Sequence, residues 1–295
     1  MLMMIYMRSK STIALLGGNG QIAKSIIPKL QKSFFVDVYS RKKVINDNSI
    51  KNNSSVKNYS YKSFPFNKDI VAVINCAGPS DPKIHQINRN IFKIFNDIDN
   101  NILDFIKNNK TVKYINISTG TVVNLKFLKK DKKEKNQYLK VKLFIENKHR
   151  KLKKLKIYDL RILGFFSNHI PLNYSFFLSQ VFKSIAKRKE LIVDSFDNIR
   201  DYVGGDDIAK FITSLINKNF SNRSFNLLSK KKVSKFTLLN YLSNRFNLKY
   251  SIDMSIVNDK KQSVRLIIKN YKKSKYFTPT YSSLGLIKKE SQKVA

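Results

Sequence analysis

A glycine turn wedged between an apolar strand and a helix is the tightest constraint in this chain. Thr12-Ile13-Ala14-Leu15-Leu16 is apolar and partly β-branched, as a buried strand requires, and Gly17-Gly18-Asn19-Gly20 follows at once. Gln21-Ile22-Ala23 then opens a segment with helical periodicity to residue 32. Phe34-Phe35-Val36-Asp37-Val38-Tyr39 reads as a second strand. A strand, a helix and a strand in this order form a right-handed βαβ unit, which commits the chain to a parallel sheet.

The alternation continues. Residues 44–57 are polar and rich in Asn and Ser, and read as loop, with a short strand near 58–62. Residues 70–76 are apolar and β-branched, a buried strand. Helical periodicity covers 84–109, a strand 112–118, a helix 136–154 and a strand 156–163. After Gly164 the elements shorten: a helix at 174–188, a strand at 190–194, a helix at 206–217, a strand at 223–228 and a helix at 235–247. The predicted fold class is α/β, a Rossmann-type doubly wound parallel sheet with a smaller C-terminal α/β substrate-binding region. The expected division is 1–164 for the nucleotide-binding domain and 165–295 for the smaller region, with parts of the chain after 195 returning to the first sheet.

Charge does not overrule this pattern. The formal net charge is +37, from 57 Lys and Arg against 20 Asp and Glu. Such a balance fits a protein of nucleic acid or membrane surfaces. Lys, Asn, Ile and Phe are nevertheless abundant throughout rather than gathered in one tail, which points to compositional bias. The run Lys129–Lys135 reads as a solvated loop. The single cysteine, Cys76, rules out a disulfide within the chain and sits in an apolar strand as a small buried residue. His85, His149 and His169 lack ligand spacing and have Lys or Asn as neighbours, so no metal is expected. In Met1–Arg8 the apolar stretch is short and the positive charge follows it, unlike a signal peptide. No apolar run approaches the ~20 residues of a membrane span. A soluble, cytoplasmic protein is the expectation.

The chemistry lies in three places. Gly18-Asn19-Gly20-Gln21-Ile22-Ala23 fits G-x-G-x-x-A, and Gly17 adds the spacing G-x-x-G-x-x-A. Such glycines let the backbone approach a pyrophosphate, which sits at the N-terminus of the following helix. Where a NAD site places an acid at the end of strand two, this chain has Ser40-Arg41-Lys42-Lys43. An Arg there pairs with the 2′-phosphate of NADP, so NADP is preferred over NAD. Ile117-Ser118-Thr119 ends a strand with two hydroxyls. Tyr138 and Lys142, four apart on a helix, share one face.

In this order the segments resemble the extended short-chain dehydrogenase/reductase family, the nucleotide-sugar epimerases, dehydratases and reductases. Gly17–Ala23 matches its glycine motif and Asn75-Cys76-Ala77-Gly78 its strand-four motif. Ile117-Ser118-Thr119 matches its hydroxyl strand, and Tyr138 with Lys142 its catalytic pair. Arg200-Asp201-Tyr202-Val203-Gly204-Gly205-Asp206-Asp207-Ile208-Ala209 resembles the family's R-D-[FY]-V segment. Ser224-Phe225-Asn226-Leu227, Val233-Ser234 and Phe277-Thr278-Pro279-Thr280-Tyr281-Ser282 resemble its later segments, so the likeness spans nearly the whole chain.

The resemblance implies Thr119, Tyr138 and Lys142 as catalytic residues, with Lys142 also holding the nicotinamide ribose. It implies cofactor contacts from Gly17, Asn19, Gly20, Gln21, Ile22, Arg41, Cys76, Ala77, Gly78, Tyr138 and Lys142. It implies a nucleoside-diphosphate sugar as substrate, with Thr119 on the reacting oxygen and Arg200 on the phosphates, and Asn168 and Asn173 as weaker nucleotide contacts. Lys142 is expected to lower the pKa of Tyr138 so that the phenol can exchange a proton. Asp201, Asp206 and Asp207 are expected to cap or brace the next helix. A homodimer through helices 84–109 and 136–154, and a setting in surface-polysaccharide synthesis, are also implied. Gly120-Thr121 replaces the Asp-Glu pair of the 4,6-dehydratases, which argues against elimination. Ile162 and Gly164 replace the Pro and Asn expected after Arg161. The expected activity is 4-keto-sugar reduction, with 4-epimerisation as the alternative. A non-catalytic Rossmann protein that binds RNA or a partner is the alternative of another class.

Overall fold

The computed structural model describes residues 10–41, 55–65, 69–79, 90–127, 137–255 and 271–294. Strand β1 (Thr12–Leu16) enters helix α1 (Gln21–Leu30), and β2 (Phe35–Ser40), β3 (Val56–Ser60) and β4 (Ile70–Asn75) follow. Helix α2 (Ile91–Asn108), β5 (Lys113–Thr119), helix α3 (Gln137–Lys151) and β6 (Ile157–Ile162) complete the first half. The second half holds α4 (Phe177–Lys187), β7 (Leu191–Asp194), β8 (Ile199–Arg200) and α5 (Gly205–Asn217). After them come β9 (Arg223–Leu227), β10 (Val233–Ser234), α6 (Lys235–Phe246), β11 (Tyr250–Asp253) and α7 (Ser283–Ser291).

Seven strands form one parallel sheet in the order β3-β2-β1-β4-β5-β6-β9. Chain direction through the sheet reverses between β1 and β4, the place where doubly wound folds bind ligands. The period-two alternation of β1 splits the core. Ile13 and Leu15 face α1 and α5, packing with Ile26, Ile27, Ile208 and Ile212. Ala14 and Leu16 face α2, packing with Ile102, Leu103 and Ile106. Helix α3 joins α2 through Ile91, Phe95, Val141 and Ile145.

A second core forms where α4, β7, α6 and α7 meet, around Phe182, Val193, Leu239 and Leu286. There β7 pairs parallel with β11, and β8 antiparallel with β10. Strand β9 lies against β6 at the edge of the large sheet. Among the described residues, no helix is long and apolar enough to cross a membrane.

Most predicted elements fall within a few residues of their expected limits, whereas β8, β10, β11 and α7 correspond to no predicted element: the three strands are short and α7 lies in a stretch that reads as a Lys-rich tail. The expected loop 44–57 ends early, because β3 begins at Val56, two residues before the predicted strand, and pairs with β2 as an edge strand. Its side chains are partly exposed, so the apolar alternation that marks a half-buried strand is weak there. The start expected for the helix at 84 and the run Lys129–Lys135 lie outside the described residues.

The edge at β9 depends on aromatic packing. The Phe225 ring lies 5.2 Å from Phe211, 5.6 Å from Phe220 and 6.0 Å from Tyr158. Phe225 is 1% exposed. Phe225→Ala is expected to lower the unfolding free energy by about 3–5 kcal/mol, since a buried ring leaves a cavity this edge cannot close. Denaturant unfolding of the variant measures the loss.

Candidate active site

The strand ends at the direction reversal are pressed together. Register places Leu16 beside Asn75, and the Cys76 N–H donates to the Leu16 carbonyl at 2.9 Å. Gly17 then turns with φ +85°, and its N–H donates to the Tyr39 carbonyl at 2.8 Å. A Cβ on Gly17 would stand 2.6 Å from the Ala77 nitrogen, so both conformation and space demand glycine here. Gly20 lies at the N-terminus of α1, exposed, with no side chain over the first-turn amides. Those amides have no partner within the helix, and no acidic residue occupies the first turn. The cradle therefore suits the pyrophosphate of a dinucleotide. Asn19 is exposed on the same turn, Gln21 reaches the Ser167 hydroxyl at 3.5 Å, and Ile22 packs against the core. Arg41 follows β2 directly and is exposed. Lys42 and Lys43 lie outside the described residues.

On the other side of the reversal, Asn75 accepts from the Ala77 N–H at 3.0 Å and so shapes the strand-four turn. Burial pushes the Cys76 thiol up to about 12, with Lys142 pulling the other way, which leaves Cys76 no reactive thiolate. Gly78 ends the turn beneath Phe95 of α2.

Phe95 links this turn to Tyr138 and Lys142. Its ring is edge-on to Tyr138, 5.7 Å between centroids, and the Lys142 Nζ lies 4.4 Å from its centre. Lys142 is 5% exposed and donates to the Ile117 carbonyl at 2.9 Å. One turn further along α3, Glu146 accepts from the Ser118 hydroxyl at 2.5 Å and from Arg161 Nε of β6 at 2.8 Å. The Thr119 hydroxyl is 2.8 Å from that of Thr121. Helix α3 thus brings Lys142 to β5 at Ile117, two residues before Thr119, with Tyr138 beside it against Phe95.

Arg200 is on a separate element, β8. Its guanidinium stacks 3.8 Å above the Phe177 ring. The buried Arg200 Nε has no hydrogen-bond partner in the structure. Asp206 and Asp207 brace their helix without capping it: Gly204 is the N-cap. Asp206 pairs with Lys29 of α1 at 3.0 Å and Lys289 of α7 at 2.6 Å, while Asp207 accepts from the Thr280 N–H at 2.9 Å. Asp201 accepts from the Ser229 N–H and hydroxyl, both at 3.0 Å. The Asn168 N–H donates to Glu290 at 3.3 Å.

Three findings differ from the sequence expectations. First, Lys142 does not lower the Tyr138 pKa: burial pushes the phenol up to about 12. The ammonium lies 5.8 Å from the Tyr138 ring centre and is engaged by Ile117 and Phe95, so desolvation dominates. Second, His149 does meet carboxylates, Asp99 and Asp159, brought from α2 and β6 by the fold. Third, Phe95, Glu146 and Arg161 belong to the site's framework. Glu146 was legible, since it continues the four-residue spacing of Tyr138 and Lys142; Phe95 reads only as a core position of its helix. Among the described residues, no group of three or more His, Cys, Asp or Glu is placed to hold a metal ion.

Burial also acts on Lys142, pulling its ammonium down to about 8 against the raising effect of Asp159, Asp99, Glu146 and Cys76. A lysine lowered in the folded state binds fewer protons than in the unfolded chain between pH ~8 and ~10.4. Its contribution to stability is complete above that window and is lost as pH falls through it. The unfolding free energy of the parent minus that of Lys142→Met should therefore rise with pH across the window, by on the order of 3 kcal/mol. Urea denaturation at intervals between pH 7 and 10.5 gives the slope.

The comparisons with known proteins agree with this geometry. The model of the NAD dependent epimerase/dehydratase family matches residues 13–227. No curated protein sequence matches the chain. Among solved structures, UDP-glucose 4-epimerase from Thermotoga maritima with UDP-glucose superposes with a TM-score of 0.75 at 16% identity, over 96% of this chain and 99% of that one. UDP-glucose 4-epimerase from Stenotrophomonas maltophila, with bound NAD and formylated UDP-arabinopyranose, gives a TM-score of 0.75 at 14% identity, over 96% and 97%. UDP-N-acetylglucosamine 4-epimerase from Methanobrevibacter ruminantium gives 0.69 at 17% identity, over 88% and 97%. At these identities the likeness is one of fold. The match to the family model covers more than half of the sequence, and the chain belongs to the NAD-dependent epimerase/dehydratase family.

Proposed function

We propose that the protein catalyses hydride and proton transfer at a ring carbon of a nucleoside-diphosphate sugar, using NAD or NADP. The observation that carries this reading is the convergence of Tyr138 and Lys142 on the end of β5, with a glycine cradle at the adjoining end of β1. When bound, the nicotinamide cofactor supplies the hydride acceptor and donor. Gly17, Asn19, Gly20, Gln21 and Ile22 would hold its pyrophosphate side, and Cys76, Ala77 and Gly78 its ribose side. Arg41, exposed after β2, favours the 2′-phosphate of NADP.

Tyr138 is the proton carrier. With its phenol pushed up to about 12, it rests protonated at neutral pH and is set to donate to a sugar carbonyl. Lys142 holds its charge beside that phenol while tied to Ile117. Thr119 offers its hydroxyl to the reacting oxygen, in place of its bond to Thr121. Arg200, stacked on Phe177 with an unpartnered Nε, is the candidate for the diphosphate. Gly120 and Thr121 supply no carboxylate, so 4,6-dehydration is not proposed.

Between the remaining outcomes, 4-epimerisation is favoured by the names of the structural neighbours. Net reduction of a 4-keto sugar is the second reading. The shortness of the chain, which suggests it from sequence, does not discriminate, since an epimerase is matched over 99% of its length. The fate of the cofactor separates them: an epimerase retains it through turnover and a reductase releases it oxidised. The outer face of α2 and α3 carries Phe92 and Phe144, 5.2 Å apart, with Phe144 45% exposed, which supports a homodimer through these helices.

Calorimetric titration with NADH and NADPH is the first test, and absence of binding by both overturns the proposal. With a nucleotide sugar that turns over, Tyr138→Phe should lower kcat by ~10²–10⁴-fold and leave cofactor affinity nearly intact, because only the ionisable oxygen is lost. Lys142→Ala should lower both, and Thr119→Val should cost less than either. Substantial turnover by Tyr138→Phe would place the proton donor elsewhere.

A further inference from the structure

Beneath the catalytic helix lies a group of charges that the reaction does not use. Asp99 of α2, His149 of α3 and Asp159 of β6 are each 0% exposed. The His149 Nε2 is 2.8 Å from Asp99 Oδ1, and its Nδ1 is 2.9 Å and 3.1 Å from the two Asp159 oxygens. A neutral imidazole carries one N–H and would turn a lone pair toward one of these carboxylates. Two ring protons satisfy both.

The surrounding groups complete the arrangement. From α3, Lys148 Nζ lies 2.6 Å from Asp99 and Arg150 2.5 Å from Asp159. From β5, Tyr114 donates to Asp99 at 2.9 Å and Asn116 to Asp159 at 2.7 Å. From β4, Asn75 donates to the Tyr114 hydroxyl at 3.0 Å and accepts from Ala77. A continuous chain of hydrogen bonds thus runs from the Ala77 backbone, against which Gly17 packs, to His149 on the helix that carries Tyr138 and Lys142.

We propose that His149 is a positioning residue: as an imidazolium clamped between Asp99 and Asp159, it fixes α3 in register with the strand-four turn, so that Tyr138 and Lys142 are held at one distance from the cofactor cradle. This rests on the catalytic reading of Tyr138 and Lys142. Stability alone is a poor account of the cluster, since buried ion pairs are often no better than apolar packing of the same volume. Burial opposes protonation of His149, and the two carboxylates, Asp159 first, push it up to about 9. The clamp is therefore closed at neutral pH.

Two measurements on the unliganded protein test the clamp. The chain has three histidines, so ¹⁵N-histidine NMR can resolve His149. At pH 7 it should show two downfield, slowly exchanging ring N–H protons; a single one overturns the imidazolium. In His149→Gln, amide hydrogen exchange over residues 138–142 should quicken by about tenfold, while β1 and α5 keep their protection. No change, or a uniform rise throughout the protein, overturns a positioning role. Should His149→Gln fail to fold, Asp159→Asn serves: it should remove one of the two ring protons and loosen the same segment. With cofactor and sugar, His149→Gln should lower kcat by up to about 10²-fold with the KM for the sugar little changed. An equal rise in KM with kcat intact overturns it. If the parent binds no NADH or NADPH, the catalytic reading falls, while the first two measurements still decide whether the clamp exists.

Discussion

The pairing of β1 with β4 governs this structure. It brings the ends of two strands, far apart in sequence, to within one residue of register, Leu16 beside Asn75. The strands leave that point in opposite directions through the sheet, so their connections diverge and open a crevice. The glycine turn follows from the same pairing. With the Cys76 N–H bonded to Leu16 and the Gly17 N–H to Tyr39, the backbone after β1 passes too near Ala77 for any side chain. What a sequence motif records as a glycine signature is a local consequence of three strands ending together.

The charge of the chain also acquires a meaning from the fold. Only 20 residues are acidic, yet Asp37, Asp99, Glu146, Asp159, Asp201 and Asp207 are buried. Several of these buried carboxylates receive specific donors: Asp99 and Asp159 from His149, Glu146 from Ser118 and Arg161, Asp201 from Ser229, and Asp207 from Thr280. A charge is retained inside a protein where a partner stabilises it. Among the described residues, the buried carboxylates thus stand beside buried cations such as Lys142 and His149, and few other basic side chains are buried.

The sequence disclosed the parts whose signal is periodic or local. The strands β1 and β4 are nearly continuous apolar runs, as burial on both faces of a parallel sheet requires, while β5 and β6 interleave apolar residues with buried polar ones such as Asn116 and Asp159. The glycine turn and the Tyr138–Lys142 spacing are each complete within a few residues. The rest depends on partners from distant segments. Nothing near His149 in sequence predicts Asp99, 50 positions away. Nothing near Lys142 predicts that the ring of Phe95 would cover it and remove the water that keeps its pKa ordinary. The Tyr138 expectation failed for the same reason: the spacing placed the ammonium on the same helix face, but burial, which pushes the phenol up, is what acts on it. β3 was blurred because an edge strand with exposed side chains carries little hydrophobic alternation.

Geometry explains how a helix, rather than a strand, brings Tyr138 and Lys142 together against β5. Lys142 is fixed to β5 at the Ile117 carbonyl. Helix α3 runs antiparallel to that strand, as a crossover helix must. Four residues back along α3, from Lys142 to Tyr138, is a rise of ~6 Å. Two residues onward along β5, from Ile117 to Thr119, is ~6.6 Å. The long side chains of Tyr138 and Lys142 both tilt toward the helix N-terminus, so their offsets cancel. Anchoring Lys142 at Ile117 therefore brings the turn of α3 that carries Tyr138 toward the end of β5. A spacing of five would rotate Tyr138 off the face that carries Lys142. The bond from Lys142 to a strand carbonyl thus ties α3 to β5 beside Tyr138, and the charges farther along the helix tie the same helix to α2 and β6.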